Sequence, residues 1–237
     1  MWLTKLVRGF ENWALPPVCA LCSDPGAAPG FDLCAACEAE LPAAADTWCA
    51  PHADPTGQPP PPAPLAGLDA LWSAFDYEFP VDAMIRELKF GGQVHYARIL
   101  GLACLRRMRC ASRPWASVDT ILPVPLHRDR LSERGFNQAR EIAVPIARGL
   151  GLPLVQDRVW RQRATAPQTL LAADTRRRNL QDAFAVRRPV QGLSLLLMDD
   201  VTTTGTTLAE LARVLKAAGA RRVSAITVAS ATGHGSA

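Results

Sequence analysis

The chain has 237 residues, of which 49% are apolar and 20% are charged, so it can bury a substantial core and does not have the composition of a disordered protein. Its net charge of +4 excludes a histone-like polycation but allows a local basic face. Residues 193–198 form the longest strongly apolar run, far short of the ~18 residues that a membrane span needs. The N-terminal residues have the spacing of an amphipathic helix rather than that of a signal peptide. We therefore expect a soluble, cytoplasmic protein.

The cysteines are concentrated near the N-terminus, where five of the seven lie within residues 19–49. Four of them form two CxxC pairs, Cys19 with Cys22 and Cys34 with Cys37. Such pairs can place four thiolates around one Zn²⁺, and a closed Cys₄ site is structural because it leaves no position for water. We therefore predict that residues 1–52 form a helix and a zinc ribbon. Two disulfides are the alternative, which a reducing compartment disfavours.

The next segment, residues 53–67, contains a run of prolines and is predicted to be a linker. In residues 68–237, apolar strands alternate with amphipathic helices. Strands are predicted at 68–78, 119–126, 193–198 and 222–230, and helices at 81–90, 94–109, 136–150 and 207–220. Pro145 is expected to kink or break the third helix, and Cys104 and Cys110 are expected to be buried. This alternation predicts an α/β domain with a parallel sheet covered by helices.

The strongest local motif is LLLMDDVTTTGTTL at residues 195–208. The apolar strand ends in Asp199 and Asp200, whose carboxylates can accept hydrogen bonds from sugar hydroxyls or hold a divalent cation. A threonine- and glycine-rich loop then opens a helix, and its amides and hydroxyls suit a phosphate monoester. The loop residues are Thr203, Thr204, Gly205, Thr206 and Thr207. The motif indicates a ribose-5-phosphate site; the alternative is that these residues only cap a strand–turn–helix unit.

This motif resembles the phosphoribosyl pyrophosphate (PRPP) signature of the type I phosphoribosyltransferases. In that family the two acids contact the ribose hydroxyls and the loop wraps the 5′-phosphate. Purine-salvage members carry a base-directed Asp where this chain has Thr203, which disfavours purine salvage. Three further stretches are similar to the ComF family, in the same order along the chain: FDYEFPVDAMIRELKFGG (75–92), ILPVPLHRDRLSERGFNQA (121–139) and RQRATAPQTLLAADTRRRNLQDAF (161–184). With the cysteine module, the resemblance covers residues 19–230.

The resemblance to the ComF family implies a type I phosphoribosyltransferase-like fold that binds PRPP, or a related ribose-5-phosphate ligand, together with Mg²⁺. It also implies a link to DNA uptake in natural transformation. Lys89 and Arg134 are the expected partners of the pyrophosphate, although Lys89 could instead cap a helix and Arg134 could form a surface ion pair. Because no residue can be assigned to an acceptor, phosphoribosyl transfer and a non-catalytic binding module both stay open. Family members commonly carry a second zinc ribbon, of which Cys49 and His52 are either a remnant or a metal-binding pair.

Residues 126–190 contain 13 arginines and six acidic residues. A surface with this excess of positive charge can bind the phosphates of single-stranded DNA. The alternative is a solvated basic surface, or one that serves only the pyrophosphate. Together with the resemblance, the pattern makes single-stranded DNA and competence proteins candidate partners.

Overall fold

The computed structural model describes residues 18–25, 30–44, 65, 67–110, 117–163 and 183–231. The chain divides into two compact units, Met1–Pro42 and Ala43–Ala237. The predicted N-terminal helix, most of the predicted linker, Cys49 with His52, and the arginines at 176–178 lie outside the described residues. The predicted domain boundaries at residues 52 and 67 therefore stay a prediction.

The described part of the first unit contains one short helix, α1 (Ala35–Ala39), after a turn closed by a bridge between Val18 and Pro25. Its buried side chains among the described residues are few, and the apolar ones include Phe31, Leu33 and Leu41. A unit with such a small core depends on another source of folding free energy, which a bound metal can supply.

The second unit contains a four-stranded sheet with helices around it and a separate two-stranded sheet. The large sheet has the strand order β1-β6-β5-β2, and all of its strands are parallel. The small sheet is the antiparallel pair β3-β4. The elements in chain order are β1 (Ala70–Asp76), α2 (Val81–Phe90), α3 (His95–Cys110), β2 (Thr120–Pro123), α4 (Arg128–Arg134), α5 (Gln138–Leu150), β3 (Val159–Arg161), β4 (Phe184–Val186), β5 (Ser194–Thr202), α6 (Thr206–Ala217) and β6 (Arg222–Ser230).

The two central strands explain the apolar runs in the sequence. Residues 194–198 of β5 and residues 223–229 of β6 are all buried, because strands covered on both faces have no solvent-facing positions. The predicted α/β class with a parallel sheet flanked by helices is confirmed. All four predicted strands and all four predicted helices are present.

Helix α5 runs through Pro145 and ends at Leu150, so the expected break is absent and the helix is longer than a proline-terminated one. It packs against α3 at Gly101, where a Cβ would lie 2.4 Å from the carbonyl oxygen of Ile142 and 2.5 Å from Cγ of Pro145. A glycine at this position is therefore required for the two helices to approach so closely.

The two cysteines of α3 differ in their environments. Cys104 is buried, as predicted, and its burial raises the pKa of the thiol to about 12. The prediction for Cys110 is wrong, because this residue is the last of the helix and is exposed. Along the described segments, no helix has both the length and the apolar character that crossing a membrane requires.

Parallel strands end at one edge of a sheet, and this edge gathers the sequence motifs. β5 ends at the threonine- and glycine-rich loop, β2 ends at Pro123, and β1 leads into α2. The amide of Val124 donates to the carbonyl of Met198, one residue before the acidic pair. The segments that follow β1, β2 and β5 are thus placed to form one site.

Candidate functional site at the carboxyl edge of the sheet

The loop between β5 and α6 turns at Gly205, which adopts φ +70° and is the N-cap of α6. A Cβ at this position would lie 2.4 Å from Cδ2 of Leu65, so both the backbone conformation and the space favour glycine. Since glycine has no side chain, it does not cap the first amides of α6. The hydroxyls of Thr204 and Thr206 lie 2.6 Å apart on either side of the turn. The loop therefore presents hydroxyl groups and helix N-terminal amides together, the arrangement that suits an anion.

The acidic pair lies near the C-terminal end of β5, shortly before this loop. Asp199 is half-buried and Asp200 is 8% exposed. The amide of Asp200 donates to Oδ1 of Asp199 at 2.9 Å. Burial raises the pKa of Asp199 to about 7, and the negative charge of Asp200 acts in the same direction. Two carboxylates held this close and this far from water are costly to the fold, which is common at functional sites.

Lys89 compensates part of this negative charge. Its Nζ lies 2.8 Å from Oδ1 of Asp200, and both side chains are largely buried. Lys89 belongs to the last turn of α2, so the ion pair joins two elements that are far apart in the sequence. The structure thus places Lys89 in an ion pair with the acidic pair.

Arg134, in the last turn of α4, completes the predicted set. Its guanidinium lies 5.3 Å from the ring centroid of Phe90, the residue after Lys89. It also donates to Oε1 of Gln138 at 3.1 Å. Burial lowers the pKa of Arg134, while the charge of Asp200 opposes that change. The predicted cations are therefore both near Asp200.

Arg161 is a cation of this region that the sequence did not single out. Burial and the positive charge of Arg130 lower the pKa of Arg161, and the negative charge of Asp199 opposes them. Arg130 acts on Arg134 in the same way. The positive charge of Arg130 thus acts on both Arg134 and Arg161, and an anion bound near these groups would stabilise their charged forms. Arg161 was missed because β3, which carries it, has three residues and shows no alternation.

The motif at 134–138 supports this edge of the sheet. Gly135 ends α4 with φ +77°, and the next helix begins at Gln138. Between them, Nδ2 of Asn137 donates to the carbonyl of Val124 at 3.0 Å. This bond ties the N-cap of α5 to the turn between Pro123 and Pro125 at the end of β2.

The acidic pair has donor atoms of the kind that Mg²⁺ prefers, since both side chains are carboxylates. However, one oxygen of Asp200 already contacts Lys89. In the described segments, the cysteine cluster is the one group of three or more candidate ligands that lie together. The two carboxylates alone are too few to form a Mg²⁺ site. They fit Mg²⁺ only together with the oxygens of a phosphate ligand, which is how Mg²⁺ is commonly bound.

The four cysteines predicted to bind zinc lie together in the first unit. The sulfur atoms of Cys19, Cys22, Cys34 and Cys37 are all within 4.8 Å of one another. The Sγ atoms of Cys22 and Cys34 are 3.7 Å apart, and all four cysteines are free thiols, so the disulfide alternative is not observed. Four thiolates around Zn²⁺ at the usual Zn–S distance of about 2.3 Å place sulfurs at comparable separations.

The electrostatics of the cluster also suit a metal. Burial raises the pKa of Cys19, but hydrogen bonds from the backbone at Cys22, Cys34 and Leu21 outweigh it and lower the pKa to about 6. Burial and the neighbouring sulfurs raise the pKa of Cys37. Because a thiolate is the form that ligates metal, the backbone favours the first ligand and a cation would relieve the repulsion among the rest. The cluster is consistent with a structural Zn²⁺ held by these four residues.

Comparison with known proteins agrees with the cysteine cluster. Residues 10–65 match the family model described as a double zinc ribbon domain. This range contains the four clustered cysteines and also Cys49 and His52, which lie outside the described residues. The match and the cluster together support a structural Zn²⁺.

Curated relatives match between about half and nearly all of the chain. The DNA utilization protein YhgH of Salmonella typhimurium is 35% identical over 227 residues, which cover 94% of this chain and 92% of that protein. Competence protein F of Haemophilus influenzae is 32% identical over 152 residues, or 62% of this chain and 66% of that protein. Competence protein ComFC of Bacillus subtilis is 33% identical over 113 residues, or 46% and 43%. Given this similarity, the zinc-ribbon match and the parallel α/β sheet, the chain belongs to the ComF family.

Proposed function

We propose that the carboxyl edge of the sheet binds PRPP or a related ribose-5-phosphate ligand. The observation that carries this proposal is the meeting of Lys89 with Asp200 beside the glycine turn that opens α6. Cations, carboxylates and helix N-terminal amides within one site match the pyrophosphate, sugar hydroxyls and phosphate of such a ligand. A strand-turn-helix unit stabilised by capping alone would not need Lys89 at the acidic pair.

Each group of the ligand has a candidate partner. The amides and hydroxyls of residues 203–207 are assigned to the 5′-phosphate, and Asp199 and Asp200 to the ribose hydroxyls. Lys89 and Arg134 are assigned to the pyrophosphate, Lys89 as a point charge and Arg134 by its planar fork. Mg²⁺, when bound with the ligand, would neutralise phosphate charge, and the acidic pair would be its protein ligands. Lys89 then competes with Mg²⁺ for Asp200, so the cation and the pyrophosphate are expected to bind together.

The reaction, if phosphoribosyl transfer occurs, would depend on positioning and on charge stabilisation around the departing pyrophosphate. Thr203 occupies the position of the base-directed Asp of purine salvage and is exposed. No described residue is assigned to an acceptor. The proposal is therefore for ligand binding, with catalysis as the question that an acceptor screen would answer.

The second candidate function is association with single-stranded DNA, in a cytoplasmic role linked to DNA uptake. It is favoured by the printed names of the relatives, which refer to DNA utilization and competence. Within residues 126–190, the described part includes Arg128, Arg130, Arg161 and Arg187. In this alternative the ribose-5-phosphate ligand is structural or regulatory, and competence proteins are the expected partners.

Calorimetric titration of PRPP with Mg²⁺ into the zinc-loaded chain tests the first proposal. We expect binding by the wild type and loss of about 100-fold or more in the Asp199→Asn, Asp200→Asn double variant, since each hydrogen bond to a charged group contributes roughly 1.5–3 kcal/mol. Asp157→Asn is the matched control, because this exposed Asp pairs with Arg188 on the surface. A folded wild type that binds no PRPP would refute the proposal, as would equal affinity in the double variant.

A further inference from the structure

A cleft of about 530 Å³ lies next to the proposed ribose site, and none of the roles assigned above uses it. Its walls are the turn after β2, α4, the start of α5, strand β3 and Arg187, the residue after β4. Arg161 lines the cleft, and the negative charge of Asp199 acts to raise the pKa of this arginine. The cleft is thus a neighbour of the acidic pair that is formed by other residues.

The cleft is strongly basic. The described residues that line it include four arginines and one glutamate, a net charge of +3. The glutamate, Glu141, forms an ion pair with Arg140, and the other arginines of the lining are Arg128, Arg161 and Arg187. Like charges collected in one concavity repel one another, and a bound anion relieves that repulsion. The charge therefore indicates an anionic ligand.

Aromatic rings lie beside these cations. The guanidinium of Arg187 lies 4.4 Å from the ring centroid of Trp160, and both residues line the cleft with Phe136. The guanidinium of Arg161 lies 5.6 Å from the ring centroid of Phe184, its cross-strand partner in the small sheet. Aromatic rings and guanidinium planes stack on nucleobases, while arginines also bind phosphate. A ligand with a base and a phosphate would use both features.

The size of the cleft limits what it can hold. A volume of about 530 Å³ falls within the range of pockets that enclose small organic ligands. It suits one nucleotide and is too small for a duplex. Of the aromatic residues that line it, Trp160 belongs to β3 and Phe136 to the short connection between α4 and α5.

We infer that this cleft binds a nucleoside phosphate, with the base against Trp160 and Phe136 and the phosphate on Arg161 and Arg187. The ligand is either a free nucleotide or one unit of a single strand. The inference rests on the second candidate function, which it extends by naming the surface. The assigned contacts include neither the acidic pair nor the loop at residues 203–207.

The test measures binding to the full zinc-loaded chain, without PRPP, by fluorescence anisotropy. One probe is a labelled oligothymidylate of about 15 nucleotides, near the upper site size of single-strand binders, and the other is thymidine 5′-monophosphate as a competitor. Arg187→Ala should weaken binding about tenfold or more and lower the slope of log affinity against log salt by about one. Arg188→Ala is the control, since Arg188 is adjacent and exposed and pairs with Asp157; its effect should be below about twofold.

The outcomes separate the inference from the function on which it rests. Direct binding of thymidine 5′-monophosphate in a calorimetric titration, lost in Arg187→Ala, with no binding of the strand supports the cleft and refutes DNA association. Binding of the strand with equal losses in Arg187→Ala and Arg188→Ala keeps DNA association and overturns the cleft. Failure of both probes with a folded wild type overturns both. Trp160→Leu, checked for folding by circular dichroism, should weaken both probes, and unchanged binding by this folded variant would overturn the placement of the base.

Discussion

Replacing Asp199 by Asn should stabilise the protein at alkaline pH and change it little in acid. The pKa of Asp199 is raised to about 7 by burial and by the charge of Asp200, whereas the unfolded chain has a pKa of about 3.9 for Asp. The folded state therefore binds this proton more tightly than the unfolded state does. The contribution to stability is complete below about pH 4 and is lost as the pH rises through about 7. The two pKa values correspond to roughly 4 kcal/mol over that range.

Urea unfolding of the wild type and of Asp199→Asn at pH 5 and pH 8, without added Mg²⁺, measures this contribution. Zinc ligation and histidine titration depend on pH in both proteins, so the difference between the two free energies of unfolding isolates Asp199. We expect the variant to be more stable than the wild type by roughly 2–4 kcal/mol at pH 8 and by much less at pH 5. Asp157→Asn should show the same small difference at both pH values, because that residue is exposed. A difference for Asp199→Asn that does not grow with pH would refute the reasoning.

Three further predictions concern the loop, the metal and the pyrophosphate. Gly205→Ala should lower the free energy of unfolding in urea by about 1–2 kcal/mol and abolish PRPP binding, because alanine there has a left-handed φ and overlaps Leu65. Gly192→Ala is the control, since Gly192 has φ +74° and open space around it. It should lose only the free energy due to the backbone conformation and should bind PRPP normally. Elemental analysis should find one Zn per chain at the four clustered cysteines, and Cys37→Ser should lose it; zinc-free protein purified under reducing conditions would exclude the site. Arg134→Ala should weaken PRPP by about tenfold and ribose 5-phosphate little, and equal losses for both ligands in calorimetry would contradict its role at the pyrophosphate.

The elements that could be predicted from the sequence are those whose own residues carry the signal. β5 and β6 are nearly continuous apolar runs because both faces are covered, and α2 and α6 have apolar positions at helical spacing. The cysteine cluster was equally local, since each pair lies within one turn. In contrast, β3 and β4 have three residues each and are held by their pairing with one another, and the bounds of α4 depend on its end at Gly135.

The contacts of the site were beyond the reach of a local pattern. Lys89 and Asp200 are separated by more than 100 residues, and only the packing of α2 beside the end of β5 makes them an ion pair. Pro145 shows the same limit in the opposite direction: it is a helix-breaking residue by its own chemistry, yet α5 continues through it, packed against Gly101. Arg161 became a candidate site residue only because the fold brings β3 near enough for the charge of Asp199 to act on it. Tertiary packing therefore decided these features.

The two groups of charge at the sheet edge constrain how an anionic ligand can bind. Lys89 forms an ion pair with Asp200, whereas the positive charge of Arg130 helps to lower the pKa of both Arg134 and Arg161. A ligand with only one phosphate could satisfy the loop at residues 203–207 and leave both groups as they are. A ligand with a pyrophosphate would attract Lys89 away from Asp200 and at the same time relieve the repulsion among the arginines. Moving Lys89 away from Asp200 would leave the acidic pair open to sugar hydroxyls or Mg²⁺, and relieving the repulsion among the arginines would stabilise the bound anion. Under the proposed function, the arrangement therefore favours a ribose that carries phosphate at both ends.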